Sequence, residues 1–200
     1  MYSMTASARS WKRYGDRQQS FPIYKYRQNK EQGMEKERLH DIVTLRTLAP
    51  SDIDLMMELV NDQRVTRYLP RMITDRKIME SWLASLGKEA HEYVVMAGDQ
   101  EIGECSLDIY GDSAEAGLML LPDYWGQGYG TKVLELLEDI ACGIKVTATR
   151  ATTDRKNAAA VRLLMKSGYQ QQKSGWMVRI SDEGDDLSEG QEIMLLAKKI

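Results

Sequence analysis

A glycine-rich turn between a predicted strand and a predicted helix constrains this chain more than any other feature. Residues 115–131 read EAGLMLLPDYWGQGYGT, so an apolar run stops at Pro122 and glycines follow at positions 126, 128 and 130. Glycine tolerates positive φ angles and lets the backbone approach a ligand closely. The N–H groups of such a turn and of the following helix end favour a bound anion. The stretch therefore predicts an anion-binding loop.

The spacing of these glycines excludes two common phosphate-binding motifs. A dinucleotide fingerprint needs G-x-G-x-x-G, whereas Gly126 and Gly128 are followed by Gly130 and then Thr131. A P-loop ends in Gly-Lys followed by Ser or Thr, and no glycine of the chain is followed by that pair. The predicted loop therefore belongs to another class of anion site.

Composition limits the kind of protein this can be. Of the 200 residues, 42% are hydrophobic and 28% are charged, and the net charge of −3 disfavours bulk nucleic-acid binding. Cys105 and Cys142 lie in apolar-patterned segments, which favours buried free thiols in a reducing compartment. No Cys or His cluster has metal-ligand spacing, and no apolar run has the length of a membrane span. We therefore expect a cytoplasmic protein without a metal.

The first 33 residues differ from the rest in charge and pattern. They hold seven Lys and Arg against two acidic residues, and they lack helical or alternating apolar periodicity. We expect residues 1–33 to be a basic disordered tail and residues 34–200 to be one domain, with Met34 as an alternative start. A transit peptide and a segment that touches nucleic acid or a ribosome are the alternatives for the tail.

Apolar periodicity predicts one strand and two helices ahead of the central strands. Residues 42–45 alternate weakly and indicate a strand. A helix is expected after Pro50, with Ser51 as its N-cap and Asp54 in the capping-box position. A second helix is expected over residues 74–86, and its apolar face consists of Ile78, Met79, Trp82, Leu83 and Leu86. The basic residues between the helices indicate solvated surface: Arg64, Arg67 and Arg71.

Three strands lead to the glycine loop. Residues 93–96 and 101–107 flank a turn at 98–100, and residues 115–121 follow closely, so these strands are antiparallel neighbours. After the loop, a helix ends at Gly143 and a strand over 145–153 is expected to run parallel to the preceding strand. Two last strands, 175–180 and 192–197, flank an acidic loop that does not match a calcium motif.

A second informative segment is NAAAVRLLMKSGY, residues 157–169. Asn157 is predicted to cap a helix, because a short polar side chain can accept from the N–H groups of the first turn. Gly168 is predicted to be the left-handed residue that ends that helix. Tyr169 is expected in the core at the start of the next strand.

The two segments resemble motifs of the GNAT family of acyl-CoA N-acyltransferases. The loop resembles the family's pyrophosphate loop, Q/R-x-x-G-x-G/A. Trp125 stands at the Gln/Arg position, which departs from that motif. The loop as a whole resembles the variant found in the branch of ribosomal-protein N-terminal acetyltransferases. The second resembles N-x-x-[AS]-x-x-L-x-x-K-x-G-[FY]. The resemblance covers residues 41–198. It implies an α/β (α+β) fold with a mixed, mostly antiparallel sheet of six to seven strands, helices on both faces, and a splay at the acyl-CoA site. The matching positions are Asn157, Ala160, Leu163, Lys166, Gly168 and Tyr169.

The resemblance also implies an activity. Acetyl-CoA would be the co-substrate, and its acetyl group would pass to a primary amine, of a protein N-terminus or a small molecule, by direct attack in a ternary complex. The pyrophosphate would lie on loop N–H groups, the pantetheine along the strand, and an N–H near Leu120 would stabilise the oxyanion. No metal or membrane is implied, and the chain would be a monomer or homodimer. The residues implied in acetyl-CoA binding are Leu118, Met119, Leu120, Trp125, Gly126, Gln127, Gly128, Tyr129, Gly130, Thr131 and Asn157.

Proton transfer is assigned from the same resemblance. Glu115 is the candidate general base, with Glu104 and Asp108 as its rivals. The position of the family's general-acid tyrosine is occupied by Leu164, so that acid is missing or supplied elsewhere. A covalent mechanism through Cys105 is the rival to direct transfer, but no histidine is placed to activate the thiol.

Two other functions stay open at the level of sequence. A non-catalytic acyl-CoA-binding or regulatory module would keep the loop without the acid and base. A nucleic-acid-associated protein would act through the basic tail. Ribosomal-protein N-termini, polyamines, aminoglycosides and amino acids are all open as the amine acceptor.

Overall fold

A seven-stranded sheet organises the protein. The computed structural model describes residues 43–69, 73–87, 89–178 and 190–200. The basic tail, the alternative start at Met34 and the acidic residues 182–189 lie outside these ranges. The sheet has the order β1-β2-β3-β4-β5-β7-β6, and only its β4–β5 pair is parallel. The strands are β1 Val43–Thr47, β2 Glu92–Ala97, β3 Gln100–Tyr110, β4 Ser113–Leu120, β5 Ala148–Asp154, β6 Gln170–Val178 and β7 Gly190–Lys199.

Helices cover both faces of the sheet, as the sequence predicted. On one face, α1 and α3 pack their buried apolar residues against Val94 of β2 and Met119 of β4. On the other face, α4 packs against Cys105, Leu107 and Leu120. The α5 helix lies on the α4 side, where its residue Leu164 joins a core with β5 and β7. The helices are α1 Ile53–Asn61, α2 Gln63–Thr66, α3 Arg76–Ser85, α4 Tyr129–Gly143 and α5 Ala158–Lys166.

The predicted elements around the glycine loop are confirmed. The turn before β3 is a two-residue hairpin at Gly98, and α4 ends at Gly143. The Asn157 side chain caps α5, since its Oδ1 accepts from the Ala160 N–H at 3.1 Å. Gly168 takes a left-handed φ of 90°, and Tyr169 is 3% exposed in the core. Within the described residues, no helix is long and apolar enough to cross a bilayer.

The start of α1 was predicted wrongly. A 3₁₀ turn over Pro50–Asp52 precedes α1, so Ser51 lies inside the turn rather than at an N-cap. Asp52 takes over the capping contact that was assigned to the other positions. Its carboxylate accepts from the Ala49 N–H at 2.8 Å and from the Arg46 guanidinium at 2.9 Å. The reason is the proline, whose fixed φ favours the first position of a helical turn and moves the start forward.

Two further side chains lie elsewhere than predicted. Ile78 is 58% exposed, because only Met79 and Leu83 of α3 are fully buried on the sheet. Cys142 is exposed in the last turn of α4, whereas Cys105 is buried as predicted. In both cases the helix buries a narrower stripe than the apolar letters suggest.

Candidate active site

The sheet opens between β4 and β5. Strand β4 pairs with β3 over its whole length, from Ser113 to Leu120. Its parallel pairing with β5 covers only residues 113–115 against 148–150. Beyond Glu115 the two strands diverge, and this leaves a gap between residues 116–120 of β4 and residues 151–154 of β5. The splay implied by the resemblance is therefore present.

The backbone of β4 faces this gap at alternate residues. The Leu121 N–H donates across to the Ile102 carbonyl at 2.9 Å, and the β3–β4 register has no bulge. Backbone groups of an antiparallel strand alternate between its two neighbours. The N–H and C=O of Met119 therefore point to β3, whereas those of Leu118 and Leu120 point into the gap. Of the three strand residues assigned to acetyl-CoA, two present their backbone to it.

The glycine loop lies at the mouth of the gap and leads into α4. Gly126 and Gly128 have φ angles of 72° and 91°, and Gly128 is the N-cap of α4. A Cβ added at either glycine would meet no atom within 4 Å, so the space in front of both is open. Residues 126–128 are exposed. A left-handed turn at the N-terminus of a fifteen-residue helix directs several N–H groups into one concavity.

The side chains of the loop hold it in place. The Trp125 indole N–H donates to the Leu120 carbonyl at 2.7 Å, and this ties the loop to β4. The Gln127 side-chain amide donates to the Asp123 carbonyl at 2.6 Å. Tyr129 is buried, with its ring edge-on to Tyr124 at a centroid distance of 5.8 Å. These side chains shape the loop, and the groups that face the open space in front of Gly126 and Gly128 belong to the backbone.

The C-terminal end of the loop forms the first turn of α4. The Thr131 N–H donates to the Gly128 carbonyl at 3.1 Å, which closes the first turn of α4. Gly130 packs closely against α5, since a Cβ there would lie 2.9 Å from Leu163 Cδ2. We therefore name residues 126–130 the candidate anion cradle, and Thr131 contributes to its frame.

Two residues of the second segment, Asn157 and Leu164, lie on the α5 side of the gap. Asn157 caps α5 with its side chain, so that oxygen is engaged by the Ala160 N–H. Leu164, at the place of the family's tyrosine, is 5% exposed and buried in the core. The leucine at this position therefore packs in the core and has no proton to supply.

Four carboxyl groups lie together on the α1 side of β2, β3 and β4. Cross-strand partners share a face of a sheet, and the register aligns Val94, Glu104 and Met119 in one row. The next row contains Glu92, Ser106 and Gly117, and the third contains Asp108, Glu115 and Arg150. The third row therefore extends across β4 to Arg150 of β5, at the last paired position before the gap. The carboxylate patch consists of Glu92, Glu104, Asp108 and Glu115.

Burial and mutual repulsion perturb three of these groups. Burial raises the pKa of Glu92 to about 7, against a hydrogen bond from Glu104 that lowers it. Glu104 is 6% exposed, and burial together with the nearby Glu92 raises its pKa well above the ordinary value. Partial burial and Glu115 raise the pKa of Asp108. Charged carboxylates are disfavoured in such surroundings, so Glu92, Glu104 and Asp108 bind protons more readily than free carboxylic acids do.

Glu115 has a different partner. Its carboxylate lies 3.2 Å from Nε of Arg150, and both side chains are about one third exposed. The same guanidinium stacks over the Tyr110 ring at 4.4 Å from the centroid. The candidate base therefore belongs to an ion pair on the open part of the patch.

Sequence reasoning missed Glu92 and Arg150. Glu92 begins a strand and contacts Glu104 only because β2 and β3 pair in one register. Arg150 reaches Glu115 through the three-residue parallel pairing. The available signal was the alternation of Glu104, Ser106 and Asp108 along one strand, which indicates a polar face within a buried sheet.

The covalent alternative loses support from the position of Cys105. The thiol is fully buried on the α4 face, opposite the carboxylate patch. Burial and the carboxyl groups of Glu104 and Glu92 raise its pKa well above the ordinary thiol value. A protonated thiol without access to a ligand is a poor nucleophile.

Several solved structures that share this fold are named as acetyltransferases. A spermidine N-acetyltransferase from Vibrio cholerae, solved with CoA and spermine, is 19% identical with a TM-score of 0.66, covering 78% of this chain and 95% of its own. A ribosomal-protein-alanine N-acetyltransferase from Brucella melitensis is 19% identical with a TM-score of 0.64, covering 78% and 99%. RimL, a ribosomal L7/L12 α-N-protein acetyltransferase solved with coenzyme A, is 15% identical with a TM-score of 0.67, covering 79% and 94%.

The sequence itself matches a family. No curated protein sequence matches this chain closely enough to count as a relative. The family model described as the acetyltransferase (GNAT) domain matches residues 43–170, which is most of the chain and contains both the gap and the glycine loop. With the splayed sheet and the loop at α4, this match shows that the chain belongs to the GNAT acetyltransferase family.

Proposed function

We propose that this protein transfers the acetyl group of acetyl-CoA to a primary amine by direct attack in a ternary complex. The observation that carries the proposal is the open backbone edge of β4 beside an anion cradle. An extended thioester arm can pair with the first, and a pyrophosphate can occupy the second. The carboxylate patch on the α1 side then offers an approach for a cationic amine.

The cradle fits a pyrophosphate group. Residues 126–130 offer backbone N–H donors, the space in front of Gly126 and Gly128 is open, and the positive end of the α4 dipole lies behind them. Hydrogen bonds from N–H groups to a charged acceptor are about twice as strong as neutral ones. In this proposal the loop holds acetyl-CoA through its main chain, while Trp125 and Gln127 keep the loop folded.

The edge of β4 fits the pantetheine arm and the reacting carbonyl. The backbone groups of Leu118 and Leu120 point into the gap, so an amide-containing arm can add there like a short strand. The Leu120 carbonyl is bonded to Trp125, which leaves the Leu120 N–H as the donor for the thioester oxygen. A fixed N–H at that point would stabilise the negative charge of the tetrahedral intermediate.

Glu115 is the proposed contact for the incoming amine and the first candidate for its base. A lysine-like amine is mostly protonated at neutral pH and must lose a proton before it attacks. Glu115 lies on the open side of the patch and is the last residue of β4 that pairs with β5, so the gap begins directly after it. Its ion pair with Arg150 keeps a carboxylate in place to receive an ammonium group.

The acceptor class is tested by a panel of amines. Purified protein with acetyl-CoA is offered polyamines, amino acids, aminoglycosides and ribosomal-protein N-terminal peptides, and CoA release is followed with a thiol reagent. Mass spectrometry then identifies the acetylated nitrogen. We expect at least one class of primary amine to be acetylated, with Gly128→Val as the matched variant that loses acetyl-CoA binding.

A second candidate function is acyl-CoA binding without catalysis. Leu164 is buried where the family's general acid would be, which is also expected of an acyl-CoA-binding module without catalysis. Calorimetry separates the two proposals. Tight acetyl-CoA binding together with no acetylated product from any amine of the panel would favour the binding module over the enzyme.

A further inference from the structure

The carboxylate patch contains a pair of glutamates that direct attack leaves without a role. Glu92 and Glu104 belong to neighbouring strands, and their carboxyl groups share a hydrogen bond. Two ionised carboxylates cannot share one, so at least one of them carries a proton. Glu104 is 6% exposed between Val94 and Met119, whereas Glu92 is only partly buried. The proton of the pair therefore stays on Glu104, and Glu92 is the member with access to solvent.

A row of residues leads from this pair to the gap. Glu92, Ser106 and Gly117 are cross-strand partners on β2, β3 and β4. A Cβ at Gly117 would lie 2.6 Å from the Ser106 Oγ, so the hydroxyl group leans over the glycine. Gly117 is also just past the last β4 residue that pairs with β5. The hydroxyl thus lies between Glu92 and the place where the gap opens.

We propose that Glu92, paired with Glu104, accepts the proton of the attacking amine through the Ser106 hydroxyl. This inference rests on the proposed acetyl transfer. It gives Glu92 the role of base and leaves Glu115 the role of contact for the ammonium group. Glu92 and Glu104 act here through Ser106 and do not touch the reacting atoms.

The proton count closes without a separate acid. The ammonium group passes one proton through Ser106 to Glu92, and the free amine attacks the thioester carbonyl to form the C–N bond. When the C–S bond breaks, the second proton on nitrogen moves to the thiolate sulfur. Glu92 then releases its proton to solvent, so the products are an amide, CoA thiol and one proton. The leucine at position 164 is compatible with this sequence.

The surroundings of Glu92 favour proton exchange near neutral pH. Burial raises the pKa of Glu92 to about 7, Asp108 raises it further, and the hydrogen bond from Glu104 opposes both. Glu115 faces Asp108 from β4 and is itself paired with Arg150 of β5. The buried residues of α1 and α3 that pack on this face are apolar. A base is most effective when its pKa lies near the working pH.

The decisive measurement is kcat/KM against pH with an acceptor from the panel. Glu92→Gln keeps the hydrogen bond to Glu104 and should lower kcat/KM above neutral pH by about 100-fold and remove the acidic limb. Glu115→Gln should lower kcat/KM but keep the acidic limb of the profile. Glu135→Gln, an exposed glutamate on α4, is the matched control with a wild-type profile. A Glu92→Gln profile that keeps the wild-type limb would overturn the inference.

Two further variants separate a proton role from a structural one. Glu104→Leu removes the hydrogen bond that favours the Glu92 carboxylate, so the acidic limb should move to higher pH. Asp108→Asn removes a repelling charge, so the limb should move to lower pH. A purely structural pair would lower the rate without moving the limb in either direction. Identical limbs in both variants would therefore count against the inference.

A titration without turnover distinguishes this inference from the proposed function. Carbon-13 NMR of the glutamate carboxyl groups should show one that titrates near neutral pH in the wild type and is missing in Glu92→Gln. If no amine is acetylated, the proposed function fails. If no glutamate titrates near neutral pH, the pair fails whether or not the enzyme acetylates an amine.

Discussion

The two halves of the proposed site use different chemical groups of the protein, main-chain groups in one and side chains in the other. In the proposal, the acetyl-CoA half consists of main-chain groups on β4 and on residues 126–130, and its side chains hold those groups in place. The proposed acceptor half consists of ionisable side chains on four neighbouring strands. We expect the main-chain groups to bind a constant feature of the co-substrate at any pH near neutral. We expect the side chains to give the acceptor half its dependence on pH and its selectivity.

The largest expected effect is on stability and concerns the acceptor half. The pKa of Glu92 rises from 4.5 in a free glutamate to about 7 in the folded protein. The folded state therefore binds this proton more tightly than the unfolded chain. The contribution is fully present below pH 4.5 and is lost as pH rises through about 7. The wild type should lose ~3 kcal/mol of unfolding free energy over this window relative to Glu92→Gln.

Urea unfolding at a series of pH values measures this difference. Glu135→Gln should follow the wild type, because Glu135 is exposed. Parallel curves for the wild type and Glu92→Gln would mean that Glu92 is not perturbed by folding, and the contrast between the two halves would then disappear.

The second prediction concerns Glu115. Glu115→Gln keeps the shape of the side chain but removes the charge that faces Arg150, at 3.2 Å. We expect kcat/KM to fall by about 100-fold, because the ammonium group loses a charge-assisted contact worth up to about 3 kcal/mol, while acetyl-CoA binding is unchanged. Steady-state kinetics and calorimetry on the same protein measure the two halves separately. A matching loss of acetyl-CoA affinity would show that the halves are not independent.

The third prediction affects the main-chain half. Gly128→Val forces a β-branched residue into a φ of 91° and fills the open space of the cradle. Acetyl-CoA affinity should fall by ~2 kcal/mol or more, as expected when several charge-assisted hydrogen bonds are lost. Gly111→Val is the matched control, since Gly111 has a φ of 66° in the β3–β4 turn and equally open space. Equal binding by the two variants would contradict the cradle.

The fourth prediction is smaller and tests the tie between loop and strand. Trp125→Phe removes the indole N–H that donates to the Leu120 carbonyl and keeps an aromatic ring. Loss of one hydrogen bond should weaken acetyl-CoA binding by ~1 kcal/mol. Tyr124→Phe removes the exposed hydrogen bond to Gln100 and should change binding less. A larger effect at Tyr124 would mean that the loop is held from the other side.

The smallest effect is expected from the tail. A protein that begins at Met34 should keep its Tm within ~2 °C and its acetyl-CoA affinity, because an unpatterned basic segment buries little apolar surface. Differential scanning calorimetry measures the first quantity. A shift of many degrees would show that residues 1–33 pack on the domain.

The difference between the halves also explains what the sequence could predict. Gly126, Gly128 and Gly130 lie at alternate positions of one short segment. The positive φ at the first two and the close packing at the third both favour glycine, so the residue type itself signals the turn. The helix cap at Asn157 is equally local. Glu92 and Glu104 lie twelve residues apart and meet through strand register, which a single sequence specifies only weakly. The same holds for Arg150, which lies 35 residues from Glu115.

The position of β7 has a consequence for synthesis on the ribosome. Strands β2 to β4 form successive hairpins, so their pairing needs only neighbouring sequence, whereas β1 pairs with β2 across residues 48–91. Strand β7 follows β6 in the sequence but lies between β5 and β6 in the sheet and pairs with both. Until residues 190–199 leave the exit tunnel, β5 is held by three pairs to β4 and β6 has no strand beside it. The nascent chain can therefore pair β2 to β4 early, whereas the wall of the gap opposite β4 is completed only when residues 190–199 have emerged.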